Sequence, residues 1–105
     1  MLGARRNAMP TYVFMSKWTD QGAKNVKGAV DRAGQMGAAV EKAGGRVVGL
    51  WWTQGQYDAV AVIEWPDDES ASVFALSSAA AGNVRGETMR AYTNEEMQRI
   101  LQKLP

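Results

Sequence analysis

Stretches rich in β-branched and aromatic residues alternate along the chain with stretches in which small and apolar residues recur at helical spacing. Thr11 to Trp18 predicts a first strand. Between Val26 and Ala43 the apolar positions follow a helical period, and Gly44-Gly45 stands where such a helix should end. The first turn of this helix, around Gly22 to Lys27, is expected to be irregular.

A hairpin is predicted next. Arg46 to Trp52 and Tyr57 to Trp65 read as strands, and a short connection containing Gly55 separates them. Gly55 supplies the positive φ that such a tip usually needs. Two tryptophans, a phenol and a carboxylate should therefore crowd one corner of the molecule, within the segment Trp51-Trp52-Thr53-Gln54-Gly55-Gln56-Tyr57-Asp58.

The second half of the chain repeats the strand and helix pattern. Pro66-Asp67-Asp68-Glu69 ends the third strand and opens a second helix, which Gly82 closes. Asn83 to Tyr92 predicts a more polar fourth strand, at an edge of the sheet. A capping box at Thr93-Asn94-Glu95-Glu96 then opens a short amphipathic tail helix. Its apolar stripe is Met97, Ile100, Leu101 and Leu104.

The element order β-α-β-β-α-β-α predicts an α+β fold of the ferredoxin-like βαββαβ type with an added C-terminal helix. Two right-handed crossovers folded into one antiparallel sheet give the strand order 4-1-3-2. The segments Trp18-Thr19-Asp20-Gln21 and Trp65-Pro66-Asp67-Asp68 each close a strand and open a helix. This echo fits a pseudo-twofold relation between the two halves.

Both faces of the predicted sheet are apolar in the middle. In the third strand Ala61 and Ile63 point to one face, and Val60 and Val62 point to the other. Two helices cover only one face, whereas a sheet with one wet face should alternate apolar with polar residues. The tail helix could cover part of the second face, and a second copy of the chain would cover it more completely. We therefore predict a homodimer.

Composition narrows the chemistry. The 105 residues suffice for one domain, and 12 basic against 11 acidic side chains give almost no net field, which argues against nucleic acid or an anionic membrane as partner. The chain has neither cysteine nor histidine. Thiolate nucleophiles, disulfides and the commonest metal ligands are thus excluded. We expect no metal and no cofactor.

The distribution of apolar residues along the chain also gives expectations for the cellular location and the domain limits. No segment reaches the roughly 20 apolar residues that a membrane helix needs, and the start of the chain lacks the apolar part of a secretory signal. A cytoplasmic protein is the expectation. Met9-Pro10-Thr11-Tyr12 would serve as a natural beginning, so we interpret residues 1–8 as a flexible N-terminal extension and residues 9–105 as the domain.

Six segments stand in order over about residues 9–102, namely Met9-Pro10-Thr11-Tyr12-Val13, Trp18-Thr19-Asp20-Gln21-Gly22, Asn25-Val26-Lys27, Gly55-Gln56-Tyr57-Asp58, Pro66-Asp67-Asp68-Glu69 and Gly82-Asn83-Val84-Arg85. Together they resemble the GYD domain family, although Gln56 separates the glycine and tyrosine of the naming signature. The resemblance implies a branch of the dimeric α/β-barrel superfamily, which supports the homodimer. Related branches include cofactor-free monooxygenases, haem-handling enzymes and small-molecule isomerases, and no agreed activity carries over.

The predicted topology brings one group of polar and aromatic side chains to one end of the sheet. The hairpin tip, the start of the first helix and the junction before the fourth strand all lie there. A cleft between a sheet end and helices, lined by aromatics and a few polar groups, is the usual ligand site. The candidate ligand-binding residues are Trp18, Asn25, Trp52, Tyr57, Asp58, Asn83 and Arg85, with Asp20 beside them.

Three functions compete for this corner. A binding module for a planar or aromatic small molecule leads, because the absence of histidine handicaps catalysis. A cofactor-free enzyme, monooxygenase-like or isomerase-like, would use Asp58 as base, Tyr57 as proton donor and Arg85 or Asn83 to hold an anionic oxygen. In a purely structural oligomer Asp58 would instead lock the hairpin, by accepting backbone N–H bonds or by pairing with Arg85.

Overall fold

The computed structural model describes residues 9–105, so the extension predicted at residues 1–8 lies outside the described residues. The elements within this range alternate along the chain much as the sequence pattern predicts. In chain order they are β1 (Thr11–Trp18), α1 (Asp20–Lys24), a 3₁₀ turn (Val26–Gly28), α2 (Ala29–Lys42), β2 (Arg46–Trp52), β3 (Ala59–Glu64), α3 (Asp68–Ala81), β4 (Val84–Ala91) and α4 (Asn94–Gln102).

The four strands form one antiparallel sheet with the order β2-β3-β1-β4. This is the predicted order 4-1-3-2 counted from the opposite edge, and it confirms the ferredoxin-like α+β arrangement. One irregularity interrupts the pairing of β2 with β3, a bulge between Val47 and Gly49. None of the helices between residues 9 and 105 is long and apolar enough to cross a membrane.

Side-chain caps explain where α1, α3 and α4 begin. The Thr19 side chain accepts a hydrogen bond from the Gly22 N–H, and Asp67 accepts one from the Ser70 N–H at 2.8 Å. That bond also lowers the pKa of Asp67. At α4 the predicted capping box is present, with Thr93 and Glu96 bonding each other's backbone N–H. The irregular start predicted before α2 is the short α1 followed by the 3₁₀ turn.

The hairpin tip is longer than the sequence pattern predicts, because β3 begins at Ala59 rather than Tyr57. Thr53 closes the tip across its base. Its hydroxyl donates to the Tyr57 carbonyl at 2.6 Å and its N–H donates to the Asp58 carbonyl at 2.9 Å. Gly55 has a φ of 131°, as a turn glycine should. Tyr57 and Asp58 therefore belong to the turn.

The core lies between the sheet and the helices. Phe14 and Ile63 from the central strands are buried on this face, as are Trp65, which follows β3, and Val40 of α2. Phe14 meets Phe74 of α3 edge to face, with ring centroids 5.3 Å apart. Side chains alternate between the two faces along β1 and β3, which explains why the buried residues of these strands stand at every second position and lie on this side of the sheet.

The opposite face of the sheet, which we call the open face, is apolar along its centre. The paired residues Gly49, Val62, Val13 and Met89 run across all four strands in one row. Trp51 lies on the same face, over Gly49, and remains 55 % exposed. The tail helix α4 makes few contacts with the sheet and leaves its own apolar stripe exposed. Among residues 9–105 no helix covers the open face.

Candidate functional site

A cleft of about 400 Å³ lies on the helix-covered side of the sheet, between α2 and α3. Its floor is formed by side chains that point up from the two central strands. These floor residues are Phe14, Ser16, Ala59 and Ala61. Its volume falls within the usual range for sites that bind small organic molecules, about 300–1,000 Å³.

Several small residues on both walls leave room for the cleft. From α2, Ala29, Ala33 and Met36 face the cleft at helical spacing. From α3, Phe74 is the one large wall residue, and the other side chains on that side are Ser77, Ser78 and Ala81. Alanine and serine fill little space, so the helices rest on the sheet without closing the gap between them.

Two tryptophans and an asparagine stand at one end of the cleft. Trp52 ends β2, Trp18 ends β1, and Asn83 precedes β4; all three line the cleft. Trp51 lies on the open face, as strand alternation requires. Three of the candidate residues from the sequence, Trp18, Trp52 and Asn83, are thus brought together here.

Asn25 and Asn83 connect the rim of the cleft to the start of α1. The Asn83 Oδ1 accepts hydrogen bonds from Gln21 Nε2 at 3.2 Å and from Asn25 Nδ2 at 3.5 Å. The Asn25 backbone carbonyl accepts a bond from Arg32 Nη1 at 2.9 Å. Asn25 therefore holds a wall residue of the cleft in position, although it does not line the cleft itself.

Arg32 is a lining residue that sequence reasoning missed. It lies three residues after Ala29 and four before Met36, on the stripe of the helix that faces the cleft. That spacing was the available signal. Arg32 is the one charged residue among the described residues that line the cleft.

Asp58 is engaged at the hairpin corner and does not line the cleft. Its carboxylate accepts the Trp18 backbone N–H at 2.8 Å, and its own N–H donates to the Ser16 carbonyl at 2.8 Å. These bonds tie the hairpin tip to the end of β1. The geometry is that of the structural lock described among the sequence alternatives.

Tyr57 and Arg85 also lie outside the cleft lining. The Tyr57 hydroxyl donates to the Glu87 carboxylate, which raises the pKa of the phenol, and Lys17 Nζ lies 5.4 Å from the ring centroid. Arg85 Nη1 donates to the Ala79 carbonyl at 3.2 Å. The structure thus spreads the predicted corner over two places, with the tryptophans and Asn83 in the cleft and the hairpin pair at the adjacent strands.

A second, more polar depression lies beside α3 on the β4 side. Its charged groups already have partners. Asp68 accepts a hydrogen bond from the Tyr12 hydroxyl; burial and then this bond raise the Tyr12 pKa to about 12. Arg90 pairs with Glu96 at 3.1 Å and lies over the ring of Tyr92. The cleft between α2 and α3 is the better candidate site.

The cleft suits binding rather than proton transfer. Its described lining residues include serines, an asparagine and an arginine, but no carboxylate and no lysine. The serine hydroxyls therefore have no base beside them within that lining. Apolar walls with a few polar groups can hold and orient a small molecule.

Comparison with known proteins fixes the family. The model of the GYD domain matches residues 12–101. The chain belongs to the GYD domain family. This confirms the resemblance seen in the six sequence segments. No solved structure matches the chain.

One similar GYD-type protein carries a descriptive name. It is the "Glutamine synthetase and cystathionine beta-lyase binding protein" of Thermus thermophilus. The two are 32 % identical over 84 residues, which cover 79 % of this chain and 88 % of the relative. The name describes a protein that binds other proteins.

Proposed function

We propose that this GYD domain protein is a homodimeric, non-catalytic binding protein that holds a small planar or aromatic ligand in the cleft between α2 and α3. The observation that carries the proposal is the lining of the cleft. Phe14, Phe74 and Trp52 offer flat apolar surfaces around a space of about 400 Å³. Aromatic side chains favour stacked or edge-to-face contact with planar ligands.

The homodimer is supported by the open face. A row of apolar residues crosses all four strands there, and Trp51 and Met89 are 55 % and 44 % exposed. Large exposed apolar patches on a soluble domain are usual at protein interfaces. A twofold axis would place the same patch of a second copy against it. The stripe of α4 is available for the same contact.

Tryptophan fluorescence tests the ligand site, because two neighbouring tryptophans lie on opposite faces. Titration with a planar aromatic compound that binds should change the emission of the wild-type protein. Trp52→Phe should remove most of that change and weaken binding at least about threefold. Trp51→Phe, which alters a side chain of similar exposure on the open face, should leave both unchanged.

Calorimetry on the same variants separates the site from general quenching. The affinity of the Trp51→Phe variant should equal that of the wild type. Equal loss in both variants, or loss only in Trp51→Phe, would move the ligand away from the cleft. Failure of a broad set of planar aromatic compounds to bind the wild type would remove the proposal.

The cofactor-free enzyme has less support than binding. It needs Asp58 as a free base beside the ligand, whereas the Asp58 carboxylate already accepts the Trp18 N–H. Tyr57 directs its hydroxyl to Glu87. Neither side chain lines the cleft.

A second candidate function is the binding of an enzyme, and the name of the Thermus relative together with α4 favours it. The capping box holds α4 as a regular helix. Its apolar stripe is nevertheless exposed, with Met97 at 45 %, Leu101 at 50 % and Leu104 at 63 %. An amphipathic helix with an unpaired apolar face fits a groove on another protein.

Two single substitutions on α4 test this function. Purified glutamine synthetase and cystathionine beta-lyase from the chain's own organism should be mixed with the protein and separated by size-exclusion chromatography. We expect co-elution with at least one enzyme. Leu101→Glu should abolish it because it places a charge on the apolar stripe. Gln102→Glu adds the same charge one residue further along and should not.

The dimer must be followed in the same experiment. If Leu101→Glu disrupts the dimer while co-elution persists, the stripe serves self-association instead. Absence of co-elution with both enzymes for the wild type would dismiss this second function and leave the ligand proposal untouched.

A further inference from the structure

We infer that the ligand of the cleft is a small aromatic monocarboxylate, whose carboxylate pairs with Arg32 while its ring lies against the apolar floor. The inference rests on the proposed ligand-binding function and deepens it. It begins from a charged side chain in an otherwise uncharged cleft.

One side of the Arg32 guanidinium is fixed. Its Nη1 donates to the Asn25 carbonyl at 2.9 Å. It also lies close to the 3₁₀ turn, since a Cβ added to Gly28 would stand 3.1 Å from Nη1. The Asn25 carbonyl therefore anchors one nitrogen of the head at the cleft wall before any ligand arrives. Preorganisation of this kind reduces the ordering cost of binding.

The second terminal nitrogen of the guanidinium has no partner within the part of the chain that the structure describes. Arg32 Nη2 is shielded from water and makes no hydrogen bond to any of residues 9–105. No carboxylate of the described residues forms an ion pair with Arg32. A cationic N–H that has lost water without gaining an acceptor is unfavourable. A ligand carboxylate would supply the missing acceptor once the Arg32 side chain turns toward the cleft, because Nη2 where it stands is closed to an atom the size of an oxygen.

The rest of the lining limits what the anion can be. Phe14, Phe74 and Met36 present apolar surface, and the described lining contains no second cation. A dianion such as a phosphate ester would leave charge unpaired among these side chains. A carboxylate carries a single charge, and its two oxygens match the planar fork of a guanidinium. An aromatic body would occupy the apolar part of the cleft.

Paired probes test the charge requirement directly. Naphthoate and its neutral amide, naphthamide, have the same ring system and differ in the charged group. Calorimetric titration of the wild-type dimer should show naphthoate binding at least about tenfold more tightly, which is about 1.4 kcal/mol. High salt should reduce this preference, because it screens the ion pair.

Substitutions assign the preference to Arg32. Arg32→Met keeps much of the side-chain length and should lower naphthoate affinity to that of naphthamide, leaving naphthamide unchanged. Arg32→Lys keeps the charge but not the fork and should retain part of the preference. Lys42→Met removes a positive charge from the exposed end of the same helix and should change neither affinity.

Each remaining outcome is decisive. Equal affinity of the two probes for the wild type would overturn the carboxylate inference while leaving the cleft as a site for neutral ligands. Equal loss of both probes in Arg32→Met would show that Arg32 only shapes the wall. Binding of neither probe would count against the ligand function of the cleft as well. The wild-type comparison needs no variant, so misfolding of a variant cannot obscure it.

Discussion

Replacing Val62 with lysine is expected to convert the proposed homodimer, of twice the 11.4 kDa chain mass, to a monomer. Val62 lies at the centre of the open face, between Val13 on β1 and Gly49 on β2. In a twofold dimer the substitution buries two ammonium groups, one from each copy, without partners. An unpaired buried charge costs several kcal/mol. Because about 4 kcal/mol is a thousandfold, the dissociation constant should rise at least about a hundredfold.

Sedimentation at micromolar concentration measures this change. The matched control is Val73→Lys, which adds the same charge to α3 at a position that is 63 % exposed. That variant should remain dimeric. A monomeric wild type would contradict the homodimer, and a Val62→Lys dimer of unchanged affinity would place the interface elsewhere on the molecule.

Local pattern was sufficient for most of the fold. The alternation of Val60, Ala61, Val62 and Ile63 predicts two apolar faces, and the structure shows both. Caps such as Thr93 follow from short-range hydrogen bonding, which depends on neighbours in the chain. The strand order could be predicted because, for this order of elements, few topologies have connections that do not cross one another.

The candidate site was less accessible to the same reasoning. Topology brought Trp18, Trp52 and Asn83 to one end of the sheet, and they do line the cleft. It could not show that Asp58 turns to the Trp18 N–H, because the tip is longer than expected and moves Tyr57 and Asp58 out of β3. Side-chain direction in a turn depends on tertiary hydrogen bonds that periodicity does not encode.

Arg32 was missed for a related reason. Periodicity placed it beside Ala29 and Ala33, but an arginine among small residues on a helix usually reaches solvent with its charged head. Here the Asn25 carbonyl retains the head at the cleft wall. The width of the gap between α2 and α3 decides whether the Arg32 head lies in bulk solvent or lines a cleft. That width is set by how the two helices pack on the sheet.

The corner where α1 meets the junction of α3 and β4 leads to the second large effect, a severe loss of stability on Gly22→Ala. Gly22 is buried in α1. A Cβ added there would overlap the Asn83 carbonyl oxygen and stand 2.8 Å from the carbonyl carbon. The same carbonyl accepts the Thr19 N–H at 3.1 Å, so it cannot withdraw without breaking that bond. Overpacking of this kind costs about 1–3 kcal/mol, occasionally more.

For a domain of this size the melting temperature of Gly22→Ala should fall by roughly 5–20 °C. Gly34→Ala is the matched control, because its added Cβ in α2 would meet no atom of residues 9–105 within 4 Å beyond its chain neighbours and its own helix backbone. It should stabilise the protein by up to about 1 kcal/mol through helix propensity. The variants must be compared at equal concentration, since the stability of the proposed dimer depends on it. A melting temperature of Gly22→Ala near that of the wild type would mean that the backbone at this corner shifts to accept the added Cβ at little cost. Asn83 lines the cleft. A Gly22→Ala variant that folds with this corner displaced should therefore also bind the ligand more weakly, so the melting temperature and the ligand affinity should fall together.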